Sequence, residues 1–209
     1  MSKQILVDYI PFEVTKEQIN ESIKENDGRL VVKGVLQRAD AKNQNGRVYP
    51  RDTLVREAKK YAQVQVKERR ALGELDHPDS SVVNLNNVSH NVLEMHWNGD
   101  DLSGTVEVLG TPAGNILKEL FKSGIKLGIS SRGLGSVEEM NEGEEEGEKT
   151  VKVQPDFELI AFDFVSNPST HGAFLSPVHE GVEKVGTRDG TCCHDCAVED
   201  IINDIFRGE

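Results

Sequence analysis

The segment Leu159-Ile-Ala-Phe-Asp163-Phe-Val165 sets one carboxylate in the middle of a strand whose other members are apolar. A carboxylate taken out of water is expensive unless something pairs with it. A fold that buries this strand must therefore deliver a partner to Asp163, and only an exposed place on an edge strand would lift that demand. Two other segments put a reactive side chain beside glycine or proline: Gly73-Glu-Leu-Asp-His77-Pro78 and Ile125-Lys-Leu-Gly-Ile-Ser130-Ser131-Arg132-Gly133.

His77 ends a short strand-like run, and the ring of Pro78 biases it toward an extended backbone, which limits where the imidazole points. A neutral imidazole accepts protons near neutral pH, so a histidine held in this way is a candidate general base. The alternative is a turn histidine that hydrogen-bonds backbone. If Asp163 paired with one ring nitrogen, the other would be free to take a proton from a serine hydroxyl.

The strand period of two divides the serine segment into faces. Ile125, Leu127, Ile129 and Ser131 share the apolar, core-directed side. Lys126, Gly128, Ser130 and Arg132 share the other. Ser130 is thus the better nucleophile and Ser131 the second choice. A serine needs a base for its proton and donors for the negative oxygen that its attack creates. Ser131, Arg132 and the amides around Gly133 are the candidate donors and substrate contacts. A Gly-Ser turn is the bland alternative, and the G-x-S-x-G elbow of common hydrolases is absent.

The rest of the chain reads as mixed strand and helix. A strand at ILVDYIPF precedes a capping box, Thr15 to Gln18, and a helix near 16–26. A strand over Leu30–Gln37 leads through a turn-rich stretch to Pro50 and a helix over about 51–68 with Leu54, Ala58, Tyr61 and Ala62 on one face. Residues 83–109 read as a hairpin turning at Asn98–Asp101. Thr111-Pro112 opens a helix whose apolar positions are Ile116, Leu117, Leu120 and Phe121, with Gly124 as its stop. Residues 125–137 read as extended, 138–148 as a glutamate-rich loop and 151–165 as the last strand. The order predicts an α+β fold around an antiparallel sheet. The domain itself is expected over 1–177, with 178–209 as a linker and short terminal helix.

The formal charge of −12 argues against general nucleic-acid binding. The charge is uneven: residues 28–70 hold 12 basic and 4 acidic side chains, so an acidic ligand should seek that segment. No run approaches the roughly 18 apolar residues of a membrane span, so no membrane association is expected. The cysteines all fall within 192–196, which excludes a disulfide framework and fits a reducing cytoplasm. Cys192-Cys193-His194-Asp195-Cys196 has soft donors for Zn²⁺ but lacks the usual spacing between ligand pairs, so no metal and no cofactor are expected.

Four ordered blocks, GVLQRADAKNQNGRVYP, ALGELDHP, GISSRGLGS and FDFVSNPS, together resemble the prohead (capsid maturation) serine proteases of large tailed bacteriophages, which are related to herpesvirus assemblin. The resemblance runs from about Val31 to Leu175. It implies a β-barrel-like core with surrounding helices. It also implies a serine endopeptidase with His77, Ser130 and Asp163 in the catalytic positions. In assemblin the third member is a histidine, which would make His90, His96 or His171 rivals of Asp163. The implied substrates are scaffold or core proteins, the major capsid protein and the protease itself, cut after glutamate inside the assembling prohead in the host cytoplasm, where an oligomer is compatible. Arg47, Arg51 and Arg56 are the candidates for reading that glutamate, and Val178-His179-Glu180-Gly181 is a candidate self-cleavage site that would release a scaffold-binding tail. A non-enzymatic scaffold or capsid component that keeps the fold is the rival class.

Overall fold

The computed structural model of the chain describes residues 3–78, 80–140 and 150–166. The elements run in the order β1 (Gln4–Phe12), α1 (Lys16–Glu25), β2 (Leu30–Arg38), β3 (Arg47–Val48), α2 (Arg51–Tyr61), β4 (Leu72–Glu74), β5 (Val88–Asn98), β6 (Asp101–Val108), α3 (Pro112–Lys122), β7 (Leu127–Gly135), β8 (Val137–Met140), β9 (Thr150–Val153) and β10 (Glu158–Val165). This is the expected mixed α+β architecture, built mostly from antiparallel strands.

Local signals set most element ends. Thr15 and Gln18 form the reciprocal capping box, with the Gln18 amide 3.2 Å from Thr15 Oγ1 and the Thr15 amide 2.8 Å from Gln18 Oε1. Thr111 caps α3 through the Gly114 amide at 3.0 Å, with Pro112 in the first turn. The chain leaves α1 and α3 through Gly28 and Gly124, both at positive φ.

Five readings change in detail. The second helix stops being α-helical at Tyr61 and continues as a π-helical turn over Ala62–Val66. Ile116 points outward at 55% exposure, because Ala113, Leu117 and Phe121, four residues apart, form the buried stripe of α3. Residues 83–87 do not join the hairpin: Asn84 Oδ1 takes the Asn86 amide at 3.1 Å, and this side-chain turn competes with strand pairing. The stretch 151–165 is two strands, parted by a turn at Pro155-Asp156 that Asp156 fixes by accepting the Ser136 amide at 3.0 Å. Residues 138–140 of the expected glutamate-rich loop form strand β8 instead, paired with β9. The remaining glutamates of that tract, within 142–148, the boundary near 177, the tail helix and the cysteine cluster lie outside the described residues. Among the described residues, no helix is long and apolar enough to cross a membrane.

The strands form three sheets, ordered β1-β7-β10, β2-β6-β5-β4 and β3-β9-β8. No closed barrel forms among the described residues. The first two sheets approach one another at β10 and β4, where a parallel bridge, Leu75 to Phe164, is the one β-bridge between them among the described residues. At the other side Phe12 of β1 lies across Gly34 of β2, where an added Cβ would come 2.3 Å from the ring. The main core fills the space between these sheets and the helices. Phe164 is its hub, edge-on to Phe12 at 5.2 Å and to Phe121 at 5.4 Å. A second cluster of Leu6, Ala39, Tyr49, Leu54, Val153 and Phe157 lies beneath β3 and β9.

The approach of β4 to β10 depends on Gly73. A Cβ there would sit 1.9 Å from the Phe162 carbonyl oxygen and 2.3 Å from His90 Nε2. His90 is fully buried, its Nε2 2.9 Å from that same carbonyl and its Nδ1 2.8 Å from Ser89 Oγ. A carbonyl only accepts, so Nε2 carries the proton, and Nδ1 takes one from the serine. Burial is the main reason that the His90 pKa falls from 6.5 to about 4, against smaller opposing effects of Asp163 and the Phe162 carbonyl.

Two expected outcomes test this junction. Gly73→Ala should cost about 3 kcal/mol or more, because backbone must move to admit the methyl group; urea unfolding reads it as a lower midpoint. His90 stays neutral in the folded chain down to about pH 4, while the unfolded imidazole protonates near 6.5. Its contribution to stability is therefore complete above pH 6.5 and is lost as pH falls toward 4, by about 2 kcal/mol between pH 6.5 and 5. His90→Gln should lack that part of the slope in unfolding measured across the same window.

Candidate active site

Strand β7 is the centre of its sheet. On one side Ser130 lies opposite Asp163 of β10, and on the other opposite Tyr9 of β1. Residues opposed across a ladder share a face, so Ser130, Arg132 and Asp163 project together. Ser131 projects the other way with Leu127 and Ile129, opposite Phe162 and Asp8, and its Oγ accepts a hydrogen bond from Gln37 Nε2 at 2.6 Å. The Tyr9 ring lies over Gly128 on the Ser130 face, so close that a Cβ there would come within 1.4 Å of it.

Strand β4 and the residues after it bring in the histidine. Beyond the Leu75 bridge the Asp76 amide donates to the Phe164 carbonyl at 2.8 Å, and Asp76 then turns the chain away at φ +72. That left-handed conformation costs a non-glycine residue free energy, and the Asp76 carboxylate offsets part of it by accepting the His77 amide at 2.9 Å. The turn leaves His77 Nδ1 3.3 Å from Asp163 Oδ2. The His77 side chain is 23% exposed and the Asp163 side chain fully buried. With Nδ1–H donating to the carboxylate, Nε2 is the nitrogen left to accept a proton. Ser130 Oγ is also buried and, among the described residues, hydrogen-bonds to no other group.

Arg132 sits behind this pair with no exposed surface. Its Nε donates to Asp163 Oδ2 at 2.8 Å, Nη2 to Asp163 Oδ1 at 3.2 Å and to Glu74 Oε1 at 3.0 Å, and Nη1 to the Ser80 carbonyl at 2.6 Å. The Glu74 amide adds a bond to Asp163 Oδ1 at 3.0 Å. Burial pushes the Asp163 pKa up, but the His77 hydrogen bond, the Arg132 charge and the Glu74 amide together outweigh it, and the carboxyl stays below its ordinary value. The demand that Asp163 placed on the fold is met by three partners, the His77 ring, the Glu74 amide and the Arg132 guanidinium.

Arg132 and Gly133 differ from their expected surroundings. The guanidinium is committed to carboxylates and a carbonyl rather than turned toward open space. Gly133 is held in the central strand between Leu6 and Leu159, and the Phe157 ring would lie 2.3 Å from a Cβ there, so its amide is no part of a flexible turn. Of the rival histidines, His90 is buried in the β4–β10 junction and His96 is exposed on β5, while His171 lies outside the described residues. The three candidate arginines are each engaged: Arg47 with Asp8, Arg51 with Asp100 and Arg56 with Glu57. Glu74 went unnoticed in the sequence although it stands inside the GELDHP block. A glutamate one residue before a leucine carries no sign of burial.

Residues 5–183 match the family described as prohead core protein serine protease, and the chain belongs to that family. It is 33% identical over 151 residues to the prohead core protein protease of Enterobacteria phage T4, covering 71% of this chain and 68% of that protein. The structure of the bacteriophage T4 capsid assembly protease superposes with a TM-score of 0.67 at 26% identity, over 79% of this chain and 99% of the other.

Proposed function

We propose that the chain is a serine endopeptidase that works inside the assembling phage prohead, with Ser130 as nucleophile, His77 as general base and acid, and Asp163 as the group that orients and charges the imidazole. The observation that carries this reading is the contact of His77 Nδ1 with buried Asp163 at 3.3 Å, with Ser130 directly across the ladder from that same aspartate. Such an arrangement suits acyl transfer. Ser130 Oγ bonds to the scissile carbonyl carbon while its proton passes to His77 Nε2 and the carbonyl electrons move onto oxygen. Collapse of the intermediate expels the amine, which takes the proton from Nε2. Water then repeats the sequence and releases the new carboxyl end.

Ser131 and Gly133 are dropped from the proposed donor set, since one faces Gln37 and the other Phe157. Arg132 remains beside the nucleophile, chiefly as the cation that holds Asp163. The substrates are proposed to be scaffold and capsid proteins, by extension from the names of the T4 proteins. Cleavage after glutamate is supported by the basic excess of residues 28–70, and self-cleavage is assigned to Glu180.

Ser130→Ala and His77→Ala should each abolish processing of co-expressed scaffold and capsid proteins, while Ser131→Ala retains it. Intact mass should show loss of residues 181–209 in the wild type and not in Ser130→Ala. An active Ser130→Ala protein beside a dead Ser131→Ala protein would reverse the assignment. Asp163→Asn should lower turnover by roughly 10⁴, and it should also lower the melting temperature, because it strips a carboxylate from a guanidinium with no exposed surface.

A second outcome concerns the glutamate. A peptide with Glu before the scissile bond should be cut much faster than the same peptide with Gln, since a cationic subsite loses its partner when the charge goes. Equal turnover of the two peptides removes charge recognition from the proposal.

A further inference from the structure

We propose that Glu74 is a positioning residue for the cleavage reaction, its charge cancelling that of Arg132 so that Asp163 meets His77 as an uncompensated carboxylate. The inference rests on the roles given above to His77 and Asp163. An aspartate beside a catalytic histidine works by being negative: it stabilises the imidazolium that forms when the base takes its proton. A guanidinium bound to that aspartate through both oxygens, at 2.8 and 3.2 Å, makes a neutral pair and removes much of the attraction. Glu74 changes the count. Its Oε1 lies 3.0 Å from the same guanidinium, and Glu74, Arg132 and Asp163 are all without exposed surface. Two carboxylates and one guanidinium, none with exposed surface, leave a single net negative charge next to the imidazole. When His77 takes the serine proton the four groups together become neutral.

The geometry separates this electrostatic role from a hydrogen-bonding one. Glu74 Oε1 accepts both Arg132 Nη2 and the Asn84 amide, each at 3.0 Å, whereas Oε2 is buried and accepts from no group among the described residues. A glutamine could make both bonds through its oxygen, and it removes the charge while setting an amide nitrogen where Oε2 stands. The groups that bear on the imidazole come from several elements: Asp163 from β10, Arg132 from β7, Glu74 from β4 and Asp76 from the preceding turn. Tyr61 of α2 and His90 of β5 act on Asp163 from behind and are neutral near pH 7. Arg132 and Glu74 can be removed together as a charge-balanced pair that leaves Asp163 beside the imidazole, which makes the idea testable.

The test uses the full chain in a Ser130→Ala background, so that no self-cleavage intervenes, and follows the His77 ring by NMR through a pH titration. Glu74→Gln leaves the set neutral, and its midpoint should lie about half a pH unit or more below that of the parent. Adding Arg132→Gln restores the single negative charge and should return the midpoint to the parent value. In the active protein, Glu74→Gln should lower kcat about tenfold or more with little change in KM, because the lost interaction grows only as the imidazolium forms. An unchanged midpoint in a Glu74→Gln chain with native near-ultraviolet dichroism overturns the proposal. If that chain does not fold, the double variant decides: a midpoint displaced by half a unit or more from the parent overturns it, and a matching one supports it. Failure of the protease reading would show elsewhere, as cleavage that survives Ser130→Ala.

Discussion

A guanidinium with no surface to the solvent, clamped between two buried carboxylates, organises the centre of this molecule. Burying three charges is costly, and a set like this persists only where each member is well bonded. Arg132 comes from β7, Asp163 from β10 and Glu74 from β4, so the bonds that satisfy the charges also fix three strands from two sheets relative to one another. Among the described residues the β4–β10 seam has one β-bridge of its own. Its order comes from this polar cluster on one side and from Gly73, His90 and Phe162 on the other.

Parts of this arrangement were legible in the sequence. A carboxylate inside LIAFDFV declared that a partner was needed, and the alternation in GISSRG assigned Ser130 and Ser131 to opposite faces, which is how the two residues lie. What alternation cannot tell is which strands become neighbours. The pairing of Asp163 with Arg132 follows from β7 lying beside β10, and the involvement of Glu74 follows from β4 reaching β10 across sheets. Both are long-range facts with no local trace. A charged side chain beside a nucleophile usually faces a substrate, and the expectation for Arg132 rests on that. The sequence does not reveal that a second buried acid lies on its far side.

The same distinction explains the smaller differences. Capping residues, glycine stops and the Pro112 start are set within a few residues of the chain, and the corresponding helix ends fall where those signals stand. Ile116 and the stretch 83–87 were judged by apolar content, and there tertiary context decided. Val82 and Leu85 are both more than two-thirds exposed although they look like strand residues, at 71% and 72%.

Those two residues belong to a loop that is anchored from within. The Ser80 carbonyl is one of the guanidinium's acceptors, and the Asn84 amide is bound to Glu74. Surface loops ordinarily tolerate insertions because their backbone answers to water. Here the backbone from 80 to 84 answers to a buried ion cluster at both ends. Evolution can therefore exchange side chains along this stretch far more freely than it can change its length, and the segment serves as a ruler in any comparison of distant relatives: an extra residue between its anchors would mean that the ion cluster itself had been rebuilt.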